Sequence, residues 1–506
     1  MQKGLFAGAA LIAALAATAA EAKWLRAETD NFIIYSEGSE KSLRDFAVTL
    51  QRFDATLRFR FRVPSGADGA RLPIYLLARS EEVARLHSRP GSSVAGFYSP
   101  DSDGSFAVSN RENYGDEMGT PDSQQTLFHE YGHHFMKRYV TAAFPAWFVE
   151  GFAEYYSTVD FDKQGKALIG KPARRRAYGL IELPKLPVEK LLFERSGALK
   201  SGEQVEVFYG RGWLLTHMLY NDPARAGQLS AYLTAINAGT DPKQAATDAF
   251  GDLAQLDKDL NRYVGHPLSY RPTLEPIPVA TNIRIAPLSA AEDALLPLRL
   301  ERMSADEGSE RMTKVRDNLK KLAVTYPGDA GVWFELASAE WALDKEGRDL
   351  AAVRAAIDKA LAIKADHVRA NVLLARLNAF ELDAKGDYSA GAWRSVRQPL
   401  QLANRTDPDD PIPLYAFYQS FIDQRVRPID IAVEGLGRAF ALAPENVQVR
   451  ISYAFALANK GDFDPAIKLA QSIAFDPHGS GGEGLLGQLE AIRDLSKAKS
   501  DAAAAE

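Results

Sequence analysis

The 506-residue sequence contains no cysteine. Without thiols the protein can form no disulfide bond, bind no metal through thiolate and carry no lipid on an N-terminal cysteine. A small secreted scaffold held together by disulfides is therefore excluded. Any metal ion would need His, Asp or Glu ligands. Histidine is also scarce, since the whole chain has only eight.

The sequence also lacks a large excess of charge of either sign. Its formal net charge is -6, which gives no reason to expect a nucleic-acid partner. The basic run Arg174-Arg175-Arg176 is expected to be a solvated face. Hydrophobic residues make up 46% and charged residues 25% of the chain, which is ordinary for a soluble globular protein. At this length we expect two or three domains.

The one long apolar stretch lies at the start of the chain. Lys3 precedes the apolar residues 4–20, and Ala20-Glu21-Ala22 fits a small-x-small cleavage site. We expect a signal peptide at 1–22, export to a bacterial periplasm or the medium, and no membrane span after cleavage. The alternative is an uncleaved anchor, which the short, Ala-rich stretch disfavours.

The first part of the mature chain mixes strand and helix patterns. Apolar runs predict strands at 32–35, 74–77, 94–98 and 105–109, and an amphipathic helix over 42–59. From about Thr120 to Tyr263 helical patterns dominate. The sequence thus predicts an α+β domain over 23–264, with a small N-terminal mixed sheet and a helical subdomain.

Prolines and helical breaks divide the remainder. Several prolines with little periodicity predict a linker at 265–299. From 300 to 496 the chain is predicted to be all helical, with Pro- or Asp-containing breaks at intervals near the tetratricopeptide period. This region resembles a tetratricopeptide-like repeat domain, and an unrelated helical bundle is the alternative. The Ala-rich residues 497–506 are expected to be a disordered tail.

Residues 129–133 read His-Glu-Tyr-Gly-His, an HExxH motif. On a helix, His129 and His133 project from one face a turn apart, so both imidazoles can reach one Zn²⁺ ion. Glu130 is rotated to the side, where its carboxylate can activate a water molecule. Thr120-Pro121-Asp122 is a suitable helix start. An accidental match is disfavoured because so few histidines occur elsewhere.

A second segment, Trp147 to Tyr155, supplies a third ligand. Glu150 and Glu154 stand at i and i+4 on one helical face. Glu150 can complete a site of two His and one carboxylate, which leaves a position open to water and is typical of catalytic zinc. Glu154 can accept the second N–H of a ligating imidazole.

The paired motifs HEYGH and WFVEGFAEY resemble the gluzincin metallopeptidases, in particular the peptidase MA-like families. The resemblance runs from about Phe32 to Tyr220 and implies a gluzincin-like catalytic domain with Glu150 as third zinc ligand. Tyr209-Gly210-Arg211-Gly212 is similar to the YxKG segment of zinc aminopeptidases, which implies that Tyr209 donates a hydrogen bond to the oxyanion. The GxMEN-type segment of those enzymes is absent, so aminopeptidase specificity is not implied.

The resemblance also implies that an edge strand binds extended substrate. It assigns this role to the strand at 105–109, with Phe106, Ala107 and Val108 as substrate-binding residues. The sequence therefore predicts an exported zinc metallopeptidase that holds one Zn²⁺ per chain, acts on a peptide or protein substrate and has Glu130 as general base. The repeats would bind substrate or a protein partner.

Two alternative functions remain open. In the first, the repeats form a tetratricopeptide-type scaffold and the metallopeptidase-like domain is non-catalytic. In the second, the zinc site is retained but hydrolyses a non-peptide bond. The substrate and the oligomeric state cannot be read from the sequence.

Overall fold

The computed structural model describes residues 24–505, except 67–68, 88–93, 102–103, 113–121, 141, 195–198, 281, 345–347 and 475–481. The predicted signal peptide, 1–22, and the predicted helix start at Thr120 and Pro121 lie outside the described residues. Among the described residues, every helix is too short or too polar to cross a membrane.

The N-terminal part is built on a six-stranded mixed sheet with the order β4-β5-β3-β2-β1-β9. β2 pairs with β3 and β3 with β5 in parallel, and the other neighbours are antiparallel. The strands are β1 (Leu25–Glu28), β2 (Phe32–Ser36), β3 (Leu72–Leu77), β4 (Gly96–Asp101), β5 (Gly104–Asn110) and β9 (Arg284–Pro287). The four predicted strands and the helix between the first two are confirmed.

The two faces of this sheet bury different clusters because side chains alternate along each strand. Ile34, Ile74 and Ala107 point into the main core with the helices α1 (Glu40–Phe61) and α3 (Asp122–Tyr139). Tyr75 and Phe106 point to the other face, where α2 (Ser80–Leu86) and α11 (Ala290–Ser304) pack. The sheet therefore lies between helices on both faces.

A helical subdomain with a second, three-stranded sheet completes the main core. The order of the small sheet is β6-β7-β8. Its strands are β6 (Asp160–Phe161), β7 (Ala167–Ile169) and β8 (Arg271–Pro272). The helices are α4 (Ala146–Ser157), α5 (Ala177–Ile181), α6 (Val188–Phe193), α7 (Gly202–Asn221), α8 (Gln228–Asn237), α9 (Pro242–Phe250) and α10 (Leu253–Tyr263), with short 3-10 helices at Arg174–Arg176 and Pro223–Arg225.

The C-terminal region is all helical, and each helix packs on the next. α13 packs closely on α14, α15 on α16, α17 on α18 and α20 on α21, so the chain forms successive helical hairpins. After α11 come α12 (Glu310–Thr325), α13 (Ala330–Trp341), α14 (Leu350–Ile363), α15 (Val368–Lys385), α16 (Arg394–Thr406), α17 (Pro411–Asp423), α18 (Asp430–Leu442), α19 (Val447–Lys460), α20 (Phe463–Ala474) and α21 (Gly482–Ala505). The mixed α+β fold followed by helical repeats is as predicted.

Two predicted boundaries differ from the structure. The range 265–299 contains β9, which joins the main sheet, and the first ten residues of α11, so it is not irregular throughout. Ser289 caps α11 by accepting from the backbone N–H of Glu292, a start signal that outweighs the prolines nearby. The tail 497–506 falls largely within α21, consistent with the high helix propensity of Ala.

Candidate metal centre

α3 carries the HExxH residues as the motif requires. His129 and His133 lie one turn apart on this helix, and both side chains are buried. Their Nε2 atoms are 3.0 Å apart. The i, i+4 spacing therefore brings two imidazole nitrogens to one point in space.

Glu150 on α4 meets these two histidines. Its Oε2 lies 3.4 Å from Nε2 of His129 and 3.6 Å from Nε2 of His133, and the residue is fully buried. A tetrahedral ion with bonds of about 2.0–2.1 Å needs ligand atoms about 3.3 Å apart. The three donor atoms match that requirement, so His129, His133 and Glu150 form a group that could hold a metal ion.

The close approach of α3 and α4 depends on two small residues. A Cβ placed on Gly132 would lie 3.2 Å from Cα of Ala153, which is tight van der Waals contact. Any larger side chain at 132 would push the helices apart. Gly132 lowers the helix propensity of α3, but its missing side chain allows the short distance between Glu150 and the two histidines.

Two glycines allow a close approach of α7 to α4. A Cβ on Gly151 would lie 2.5 Å from the carbonyl oxygen of Gly212, and one on Gly212 would lie 2.9 Å from the carbonyl oxygen of Trp147. Both positions exclude any side chain unless the helices move. The glycine that follows Glu150 and the glycine three residues after Tyr209 thus meet at one helix crossing, which brings Tyr209 to the site.

Glu154 stands behind His129. This fully buried carboxylate places Oε1 3.0 Å from Nδ1 of His129, opposite the ring nitrogen that faces Glu150. A carboxylate in this place fixes the orientation and tautomer of a ligating imidazole. The arrangement agrees with the geometry that the i, i+4 spacing predicted, since Glu150 and Glu154 both face α3.

Two arginines neutralise Glu154. Nη2 of Arg175 lies 2.9 Å and Nη2 of Arg176 lies 2.7 Å from Oε1 of Glu154. Burial would raise the pKa of Glu154, but the charges of Arg175 and Arg176 outweigh it and hold this pKa well below its usual range. The expected solvated face at 174–176 is thus wrong for these two residues. Only Arg174 of the run is exposed.

Carboxylates give the surroundings of the histidines a negative electrostatic potential. Burial lowers the pKa of His129, but Glu154 and Glu150 have the larger combined effect and raise it to about 9. Glu130 on the same helix contributes to that rise. A cation is therefore favoured at this position, and a metal ion bound by Nε2 of His129 would take the place of the proton.

Tyr209 and Glu130 flank the three donor residues. The ring of Tyr209 lies 6.0 Å from that of His129, nearly parallel to it. The charge of Glu150, burial and the charge of Glu130 raise the pKa of the Tyr209 hydroxyl, so it stays protonated at neutral pH. Glu130 is half-buried. A protonated phenol and a carboxylate thus both lie close to the group that could hold a metal.

Comparisons with known proteins add little to this geometry. No protein-family model matches the chain, and no curated protein matches it. Three chains of solved structures match. One of them, the crystal structure of yeast Tom70, has a TM-score of 0.27 and 12% sequence identity, with 73% of this chain and 70% of that chain covered. A TM-score of this size does not indicate a shared fold.

The strand predicted to bind substrate is not an edge strand. β5, which contains Phe106, Ala107 and Val108, pairs with β3 on one side and β4 on the other. The prediction was wrong because the hairpin through Gly104 places β4 outside β5. Within the described strands β4 and β9 are the two terminal strands of the sheet, and β4 packs against α3.

Two further histidines have structural partners, as expected. Nδ1 of His134 lies 3.1 Å from the hydroxyl of Tyr98 on β4. The ring of His217 lies between the hydroxyl of Tyr263 and the backbone carbonyl oxygens of Gly170 and Ser269. Sequence reasoning missed Arg175 and Arg176. The only signal available was the basic run itself, which most often marks an exposed surface.

Proposed function

We propose that this protein is an exported zinc metallopeptidase of the gluzincin type. The observation that carries the proposal is the convergence of Nε2 of His129, Nε2 of His133 and Oε2 of Glu150 within 4.8 Å of one another. These atoms come from two separate helices and are buried, which distinguishes the group from a chance cluster of surface carboxylates. Export is supported by the sequence of residues 1–22 alone.

The donor set supports zinc as the metal. Two imidazole nitrogens and one carboxylate oxygen are a common protein ligand set of catalytic zinc, and with three protein ligands one position stays available to water or substrate. When bound, the ion would polarise the scissile carbonyl and lower the pKa of the attacking water. The carboxylate of Glu150 would offset part of its charge.

Two side chains are placed to carry the proton and the charge. Glu130 would take a proton from the attacking water and return it to the leaving amine. The Tyr209 hydroxyl, whose pKa is raised by the nearby carboxylates and by burial, would donate a hydrogen bond to the oxyanion that forms on the substrate carbonyl. Both roles follow from the resemblance and from the position of each group beside His129.

The position of β4 suggests how substrate would bind. As one of the two terminal strands among those described, it can offer backbone N–H and C=O groups to an extended peptide, and it packs beside the helix that carries His129 and His133. Pairing of this kind draws its affinity from main-chain hydrogen bonds and therefore favours an extended, unstructured segment. We therefore propose an unstructured peptide segment as the substrate class.

The test compares the wild-type protein with Glu130→Gln on casein and on a peptide library. The variant is expected to lose hydrolysis while keeping its zinc, because Gln cannot accept the proton and is not a ligand. Glu203→Gln, an exposed change in the first turn of α7, serves as the matched control and should cleave normally. Equal cleavage by the wild type and Glu130→Gln would contradict the proposal.

A second candidate function, protein binding by the helical repeats, has its own support. A cavity of about 630 Å³ lies between the main sheet and the repeat helices, with Tyr75 and Phe106 on one side and Phe334 and Trp341 on the other. Such a space could take a segment of a partner protein. Purified protein that binds a partner but holds no zinc would favour this function over the peptidase.

A further inference from the structure

The contacts of Arg176 extend beyond Glu154. Its Nη2 lies 2.7 Å from Oε1 of Glu154 on α4, and its Nη1 is paired with the carboxylate of Glu206 on α7. The guanidinium carbon also lies 5.2 Å from the centre of the Tyr209 ring, within the range of a cation–π contact. One side chain thus contacts two helices that line the site.

These contacts lead directly to the metal ligands. Glu154 holds Nδ1 of His129 at 3.0 Å, and the ring of Tyr209 lies nearly parallel to that of His129. A displacement of Arg176 would therefore remove one of the two arginines that hold Glu154, and also the cation–π contact with Tyr209. A planar guanidinium, with its rigid fork of donors, can pair with two carboxylates and still lie over an aromatic ring.

We propose that Arg176 is a positioning residue of the metal centre, which fixes Glu154 behind His129 and Tyr209 beside it through a single guanidinium. The inference rests on the proposed zinc site. It gives Arg176 a wider role than charge balance. Arg175 contacts Glu154 and the hydroxyl of Thr126, but among the described contacts it reaches neither Glu206 nor Tyr209.

The test measures zinc affinity and the visible absorption of the cobalt-substituted full-length protein. Cobalt absorption reports the geometry of the ligands and needs no substrate. Arg176→Gln is expected to bind zinc about 10–100-fold more weakly and to change the cobalt spectrum, as other losses of support behind a ligating histidine do. Arg176→Lys should fall between Gln and wild type, since Lys keeps the charge but lacks the planar fork of donors.

Arg174→Gln is the matched control. It removes the same charge from the neighbouring, exposed arginine and should leave the affinity and the spectrum unchanged. If Arg176→Gln does not fold, Arg176→Lys alone decides the question. A folded variant at 176 with wild-type zinc affinity and an unchanged cobalt spectrum would overturn the proposal. A wild-type protein that binds zinc but cleaves no peptide would contradict the peptidase function while leaving this test intact.

Discussion

The carboxylate of Glu445, in the turn between α18 and α19, lies 2.8 Å from Nη1 of Arg138 in the last turn of α3, and both side chains are buried. Beside this pair, Nη2 of Arg450 donates to the backbone carbonyl of Lys137 at 2.6 Å. The repeat region therefore contacts the C-terminal end of the helix that carries His129 and His133. The helical repeats and two of the candidate metal ligands thus share contacts with one helix, α3.

Removal of Glu445 should destabilise the protein. Glu445→Ala takes the carboxylate away from a buried guanidinium, and loss of one partner of a buried ion pair typically costs about 3–5 kcal/mol. We expect a clear fall in Tm by calorimetry. Asp409→Ala breaks an exposed pair with Arg438 and should change stability by about 0–1 kcal/mol. Equal effects of the two changes would contradict the buried contact.

A methyl group at position 151 should disturb the site through packing. Gly151→Ala would place its Cβ 2.5 Å from the carbonyl oxygen of Gly212, so α4 and α7 must separate. We expect a loss of about 1–3 kcal/mol in the free energy of unfolding and weaker metal binding. At Gly202 an added Cβ would meet no other part of the described chain within 4 Å, and Gly202→Ala should be neutral or stabilising.

Tyr209→Phe tests the oxyanion role without altering the metal ligands. Loss of one such donor lowers kcat by about 10²–10³-fold in enzymes that depend on it, and we expect KM and zinc content to change little. Tyr178→Phe removes the hydroxyl of an exposed tyrosine in α5 and should have wild-type kinetics. An unchanged kcat for Tyr209→Phe would contradict the oxyanion role and leave Tyr209 with a role in packing only.

Acid should weaken the contact between α11 and α13. Burial would raise the pKa of Glu335, but Arg302 and Arg299, each 2.6 Å away, outweigh it and lower this pKa. Because the folded pKa lies below the unfolded value of about 4.3, the stabilisation is present above that value and is lost as the pH falls through the folded pKa. Glu335→Gln should therefore show a smaller fall in Tm than the wild type when the pH is lowered from 7 to well below about 4.3.

The sequence predicted the parts of the site that follow from local spacing. His129 and His133 share a helical face because they stand at i and i+4, and the same rule relates Glu150 to Glu154. Sheet order is a long-range property, so the hairpin through Gly104 could be predicted but not which of its strands lies outside. The partial burial of Arg175 and Arg176 depends on a carboxylate about 20 residues away, which no local pattern indicates.

The metal content of the purified full-length protein tests the central claim most directly. We expect about one zinc per chain in the wild type, loss of that zinc in His133→Ala, and full retention in His266→Ala, which alters an exposed histidine. Loss of one of three ligands removes most of the affinity of such a site. A wild-type protein that holds no zinc, or a His133→Ala variant that holds as much as the wild type, would contradict the assignment of His129, His133 and Glu150 as a zinc centre.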